Sequence, residues 1–396
     1  MENQNYKGAA VVALMAVFTL AICFIILGSI STELMTYLGI NEGQFGTLVL
    51  GMFLTSCIVQ LFVGPMVDKI GYKPVAFFGF VVTALSMLLL SFAATFSFAL
   101  FACILMGFGA MSLNTVGNTL IPVVLFQGND PARASNFGNA FFGLGYIITP
   151  LLIVFMFDSL GMSYNAALIV IAVLMLIFLG FSVSATYPKV SIGFEFTMAF
   201  KVLVKPAVVV AAIALFCYIS LEISMGTWIR SLMNELYTDA GVSGVSARSG
   251  IVLSLFGVAM MVGRFLTSTI KNLTAMGGKV IIIMSVVSLA AILLMVVAES
   301  PALGIVAVIL AGLAFAPIFP TIVGVTFGKF NPSLYGSIFG IIFSVGLLGG
   351  TFVPNIIGNL SVDATVQQSL TIAAVMAGIL VLISLFIGRV GRPKTG

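Results

Sequence analysis

Polar positions are widely spaced along this chain, and nearly all the side chains between them are apolar. The runs lack the every-second-residue alternation of a half-buried strand. They also lack the single apolar stripe of a helix lying on a soluble core. Unbroken apolar runs fit helices surrounded by apolar material on all sides, and about 20 residues of helix cross a hydrocarbon core. The runs predict twelve such helices, over 8–38, 43–66, 75–95, 97–120, 134–157, 162–185, 206–230, 247–270, 279–298, 302–327, 334–358 and 366–388. A transmembrane barrel is excluded, because its strands would alternate. The first run is too long for a signal-peptide core and has no small-residue cleavage site behind it, so it reads as a retained span.

Composition points to the same solvent. Of the 396 residues, 61% are hydrophobic and 7% charged, with a mean hydropathy of +1.25. A soluble domain is about 45–50% apolar and about 25% charged. The expected fold is therefore an all-α membrane protein. Twelve crossings put both termini on one side, and the basic residues say which. With the N-terminus inside, Lys7, Lys69, Lys73, Arg133, Lys189, Lys201, Lys205, Arg264, Lys271, Lys279, Lys329, Arg389, Arg392 and Lys394 face the cytoplasm, and only Arg230 and Arg248 lie outside. Inner loops are the basic ones in membrane proteins. The predicted location is the cell membrane, multi-pass, with both termini cytoplasmic, and the inner membrane if the source is bacterial. The outer loops carry Glu33, Glu42, Asp158, Glu235, Asp239, Glu299 and Asp363.

The net charge of +4 is spread over short loops, so no nucleic-acid partner is expected. Histidine is absent and Cys23, Cys57, Cys103 and Cys217 all sit in apolar runs, so no metal site is expected. No G-x-x-x-x-G-K-[ST] sequence occurs, which argues against ATP drive by this chain. No nucleophile–base pair marks an enzyme. No cofactor is expected beyond a coupling ion, H+ or Na+.

The longest polar inner stretch falls at the midpoint. It divides the chain into a first six-helix bundle (1–186), a linker (187–205) and a second bundle (206–396). A weak internal echo joins the halves: residues 136–150 and 337–351, each in the fifth span of its half, align Phe142 with Phe343 and Gly145 with Gly346. Paired six-helix halves are a transporter plan. A monomer in the bilayer, working on a small molecule, is the expected unit.

The sharpest local motif is Gly64-Pro-Met-Val-Asp68-Lys69-Ile-Gly71-Tyr-Lys73, with the spacing G-x-x-x-D-[RK]-x-G-x-[RK]. Gly64 permits close helix approach and Gly71 a tight turn. Asp68, at a helix end, is placed to cap a neighbouring helix N-terminus. The motif resembles the signature loop of the major facilitator superfamily. The resemblance implies two pseudo-twofold-related bundles and a conformational latch at Gly64, Asp68, Lys69, Gly71 and Lys73. The second-half counterpart, Gly263-Arg264 followed by Lys271 and Lys279, lacks the acid, and Arg264 reads as a latch or inner-face anchor.

Further stretches resemble the fucose permease-like branch of sugar symporters. They are Gly312-Leu-Ala-Phe-Ala316-Pro317-Ile-Phe319-Pro320-Thr321-Ile322, Gly349-Gly350-Thr-Phe-Val-Pro354, Leu113-Asn114-Thr115-Val-Gly-Asn118 and Arg133-Ala-Ser-Asn136-Phe-Gly-Asn139. The branch's coupling acids do not carry over. Its fourth-span acid position holds Asn114, and its first-span Asp has no clear match near Glu33.

That leaves Glu222, deep in the seventh apolar run, as the candidate ion-coupling group. A carboxylate in lipid is costly and marks function or a partner. No buried basic residue is expected to neutralise it. Tyr218 and Glu222 are four apart and share a helix face, as do Asn114 and Asn118. The resemblance implies that spans 1, 4, 7 and 10 line a central cavity, bringing Asn114, Asn118, Tyr218 and Glu222 to it, with Trp228 at the outer rim and Asn139 near the inner end. The same amides also fit plain interhelical glue, and Trp228 an interfacial belt. The reading is a secondary active transporter of a small polar solute, most simply a sugar, coupled to a proton or sodium ion by alternating access. An exporter of drugs or lipids is the rival within transport. A non-transporting membrane sensor or scaffold is the rival outside it.

Overall fold

The computed structural model describes residues 6–189 and 201–390. Among these, twelve helical segments are long and apolar enough to cross a membrane, and no strand occurs. The boundaries depart from the sequence reading where local chemistry intervenes. The first run breaks at Ile30 into Lys7–Ser29 and a short helix Ser31–Leu38. The second helix, Glu42–Ile70, starts at an Asn41/Gln44 capping box and carries the signature acid in its last turn. The seventh continues past the apolar run to Asp239. The tenth is two helices, Pro301–Phe315 and Ile318–Phe327, because Pro317 and Pro320 remove two amides from the ladder. Part of the expected linker, 190–200, lies outside the described residues.

By contacts the chain divides into two compact units. The first is Met1–Gly128, Phe141–Ala199 and Pro332–Gly340; the second is Asn129–Ala140, Phe200–Asn331 and Ile341–Gly396. Each unit thus takes in a short stretch from the other half of the sequence.

In the first unit the fourth span (helix Phe96–Val124) is central, packed on the first, second and third, and the sixth lies on the third. In the second unit the tenth span packs on the seventh, eighth and ninth, and the twelfth lies on the ninth. Adding six to each span number converts the first packing list into the second. This supports the internal repeat far better than two aligned residues do.

Candidate functional site

Two clusters of buried polar groups stand out, one in each unit. The first joins the second and fourth spans. Asn114 Nδ2 donates to Gln60 Oε1 at 3.2 Å and Gln60 Nε2 donates to Thr115 Oγ1 at 3.1 Å. Asn118 Nδ2 donates to Asn114 Oδ1 at 2.8 Å and to the Asn114 carbonyl at 3.1 Å. All four residues are buried. The i, i+4 spacing puts both asparagines on one face, as expected, and Gln60 meets them from the neighbouring helix. The cluster is neutral, and Thr115 Oγ1 also donates outside it to the Met111 carbonyl at 3.0 Å.

The second cluster is ionic. Arg264 Nη2 donates to Glu222 Oε1 at 3.0 Å. Arg264 is 2% exposed. The Glu222 side chain keeps 25% of its surface exposed. Two sequence expectations are corrected here. A buried base does neutralise Glu222, and Arg264 does not face an inner loop: it lies inside the second unit.

Three further acceptors hold the guanidinium. Nε donates to the Ala316 carbonyl and Nη1 to the Asn139 carbonyl, both at 3.3 Å. Nη2 also lies 3.5 Å from the Tyr218 hydroxyl. The Ala316 carbonyl is available because its helical partner four residues on would be the amide of Pro320, which has none. The eighth span reaches this break on small residues: a methyl group added at Gly263 would lie 2.5 Å from Ala316 Cβ, and one at Gly312 would lie 2.8 Å from Ala259 Cβ. Tyr218 is fully buried, stacked on Phe319 and edge-on to Phe315, each ring at 6.1 Å. A buried ion pair is weak evidence for stability, but removing one partner costs about 3–5 kcal/mol. The pair therefore responds strongly to anything that changes the charge on Glu222.

The remaining candidates separate. Asn139 contributes its main-chain carbonyl to Arg264, while its amide Nδ2 donates to the Ser135 carbonyl at 3.0 Å. Trp228 Nε1 donates to the Pro354 carbonyl at 3.1 Å, tying the seventh span to the eleventh.

The signature loop caps a helix, as its acid suggested. Asp68 is 4% exposed. It accepts from the Gly336 amide at 2.8 Å and from the Ser337 amide and hydroxyl, each at 2.6 Å, at the start of helix Tyr335–Leu360. A carboxylate at a helix N-terminus meets unpaired amides and the positive end of the dipole. Gly64 permits the approach: a methyl group there would sit 2.2 Å from the Gly336 carbonyl oxygen. Gly71 turns the chain into the third helix at φ +88°. Lys69 and Lys73 are exposed.

The sequence reading missed Asp130. Its carboxylate accepts from the Leu273 amide at 2.8 Å, the Thr274 amide at 2.9 Å and the Thr274 hydroxyl at 2.6 Å, capping helix Leu273–Val296. Arg133 Nε adds a bond to the Ser268 carbonyl at 2.8 Å. The Asn129-Asp130-Pro131 step signals an N-cap for its own helix, with proline following. Nothing in it signals the start of the ninth span.

Comparison with known proteins agrees with this architecture. The profile of the Major Facilitator Superfamily matches residues 12–354. The chain belongs to that superfamily of membrane transporters. The chromaffin granule amine transporter of Rattus norvegicus is 24% identical over 331 residues, 80% of this chain and 61% of that protein, so the chain spans about three fifths of that relative's length. FucP, the E. coli fucose:proton symporter, superposes in its outward conformation with a TM-score of 0.79 at 17% identity, over 97% of this chain and 99% of that one. The proton:xylose symporter XylE gives 0.76 at 13% identity, over 98% and 96%. At those identities the structural likeness speaks for the fold.

Proposed function

We propose that this transporter moves a small polar solute, in the first instance a sugar, by alternating access coupled to a proton or sodium ion at Glu222. The observation that carries the proposal is the partly open carboxyl of Glu222 held against a buried guanidinium. An ion arriving at that carboxyl competes with Arg264 and changes the charge balance of the second unit. The fold likeness to fucose and xylose symporters supports the sugar reading. The asparagines of the first unit act mainly to hold the second and fourth spans together, since Asn114 bonds Gln60 across them and Asn118 bonds Asn114. In this reading Asp68 and Asp130 hold the latch, and both caps break and reform in each cycle.

The amine transporter relative favours a second solute class, since a carboxylate suits an ammonium group. Arg264 opposes it, because an ammonium solute and a coupling ion would both need the one carboxylate that Arg264 already holds.

Purified protein in proteoliposomes tests the proposal. Sugar accumulation driven by a proton or sodium gradient is expected, and Glu222→Gln should lose the accumulation while keeping counterflow exchange. Gradient-driven accumulation by Glu222→Gln at the wild-type level refutes the coupling role. Efflux of apolar dyes without sugar counterflow would support the exporter reading instead.

A further inference from the structure

The four acceptors around Arg264 are not equivalent. Two are main-chain carbonyls, of Ala316 and Asn139, and one is the hydroxyl of fully buried Tyr218. These three cannot leave without moving a helix. Glu222 can: its side chain is the one partly exposed group in the cluster and its carboxyl touches the guanidinium through a single oxygen. If Glu222 turns away, Arg264 keeps its position and presents Nη2 to whatever enters from the open side. Tyr218, one turn before it on the same face, is fully buried and Gly226, one turn after it, is exposed, so Glu222 sits where this face opens.

Charge then limits what can enter. The ionisable groups facing Glu222 are Arg264 from the eighth span and Tyr218 from its own. The tenth and twelfth spans carry no ionisable side chain, and the eleventh carries only Tyr335, near its start. With carboxylate and guanidinium paired, the empty cluster is neutral. A proton alone on Glu222 leaves an uncompensated positive charge, and an anion alone on Arg264 leaves a negative one. Either is costly away from water. A proton on Glu222 together with a monoanion on Arg264 restores neutrality. Only the empty and the doubly loaded clusters are then neutral, and obligatory coupling follows.

We propose that Arg264 anchors a carboxylate on the solute, which takes the place of Glu222 on the guanidinium as Glu222 takes up the proton. The solutes are monocarboxylates, hydroxylated sugar acids among them, each moved with one proton and no net charge. This rests on the reading of Glu222 as the coupling group and narrows the polar solute to one bearing an acid.

The test uses the full-length protein in proteoliposomes with gluconate, glucuronate and lactate as anions, fucose and xylose as neutral sugars, and phenethylamine as a cation. At least one anion should accumulate under an inward proton gradient, with a rate that does not change when the membrane potential is clamped. Arg264→Gln should lower that rate by about 100-fold or more, the scale for truncating one partner of a buried charge pair. Glu222→Gln should bind the same anion about tenfold more tightly, because the competing carboxylate is gone, and should exchange it without responding to the proton gradient. Binding is read as ligand-induced thermal stabilisation of each variant against its own ligand-free form, so a lower intrinsic stability does not mask it. Accumulation of none of the anions overturns the proposal. So does potential-driven accumulation of a neutral sugar that depends on Glu222, which leaves the coupling role of Glu222 intact. Accumulation that survives unchanged in Glu222→Gln overturns both readings.

Discussion

The two units solve the burial of polar groups in opposite ways. In the first, Gln60, Asn114, Thr115 and Asn118 form a neutral, buried chain of bonds. In the second, Arg264 is fixed on its inner side by main-chain carbonyls and closed on its outer side by one half-free carboxylate. Amides keep the same charge whatever arrives, so the first cluster can hold helices together but cannot take up a proton as a carboxylate does. The second can do both, and it concentrates the response in one replaceable contact. On the proposed function, the difference separates a scaffold from a switch inside one repeated architecture.

The largest expected break in this contrast is Arg264→Gln. It strands Glu222 and takes the side-chain donor from the Ala316 carbonyl, at a cost of about 3–5 kcal/mol. A large drop in thermal midpoint in detergent, with loss of transport, is the expected readout. Adding Glu222→Gln should recover part of the stability and none of the transport. A double-mutant cycle with no coupling energy would mean that the pair is incidental.

The helix caps come next. Asp68→Asn and Asp130→Asn each remove a charged acceptor from two amides and a hydroxyl, at about 1–3 kcal/mol. Cysteine-accessibility labelling of the inner helix ends should rise in both variants. If only one variant responds, a single cap carries the latch.

Asn114→Leu sharpens the comparison from the other side. Interhelical side-chain bonds in membranes average about 0.6 kcal/mol, so a modest loss of stability with transport retained is expected. Abolished transport at normal stability would move the first cluster from scaffold to site. The smallest effect belongs to Trp228→Phe, which keeps the ring and loses one bond to the Pro354 carbonyl, at about 0.5–1.5 kcal/mol. Unchanged transport kinetics are the expected result.

Much of this was readable in the chain itself. Twelve unbroken apolar runs leave few alternatives to twelve crossing helices, and the signature loop named the superfamily before any packing was known. Glu222 was visible because a lone carboxylate in such a run has no ordinary explanation. Its partner was not. Arg264 lies four residues before the end of its helix at Ser268, where an arginine reads as an interfacial anchor. It is buried because the broken tenth span and the 129–140 stretch cover it, and helix packing of that kind leaves no trace in hydropathy. Asp130 was hidden for a related reason. The second-half loop lacks an acid, and the structure supplies one from the opposite direction: the fifth span donates the carboxylate and the ninth receives it. The two caps do not correspond in sequence, so aligning the halves could not find the second.

The missing amide at Pro320 has a mechanical consequence. The oxygen that steadies Arg264 is free only while the tenth span stays interrupted, so a bend in one helix and the aim of a cation on another are the same variable. Replacing that ring with alanine would offer the oxygen a rival hydrogen and let the rod straighten. The guanidinium would then lose one of its two main-chain holds, keep the Asn139 carbonyl and the Tyr218 hydroxyl, and follow the motions of the carboxylate more closely.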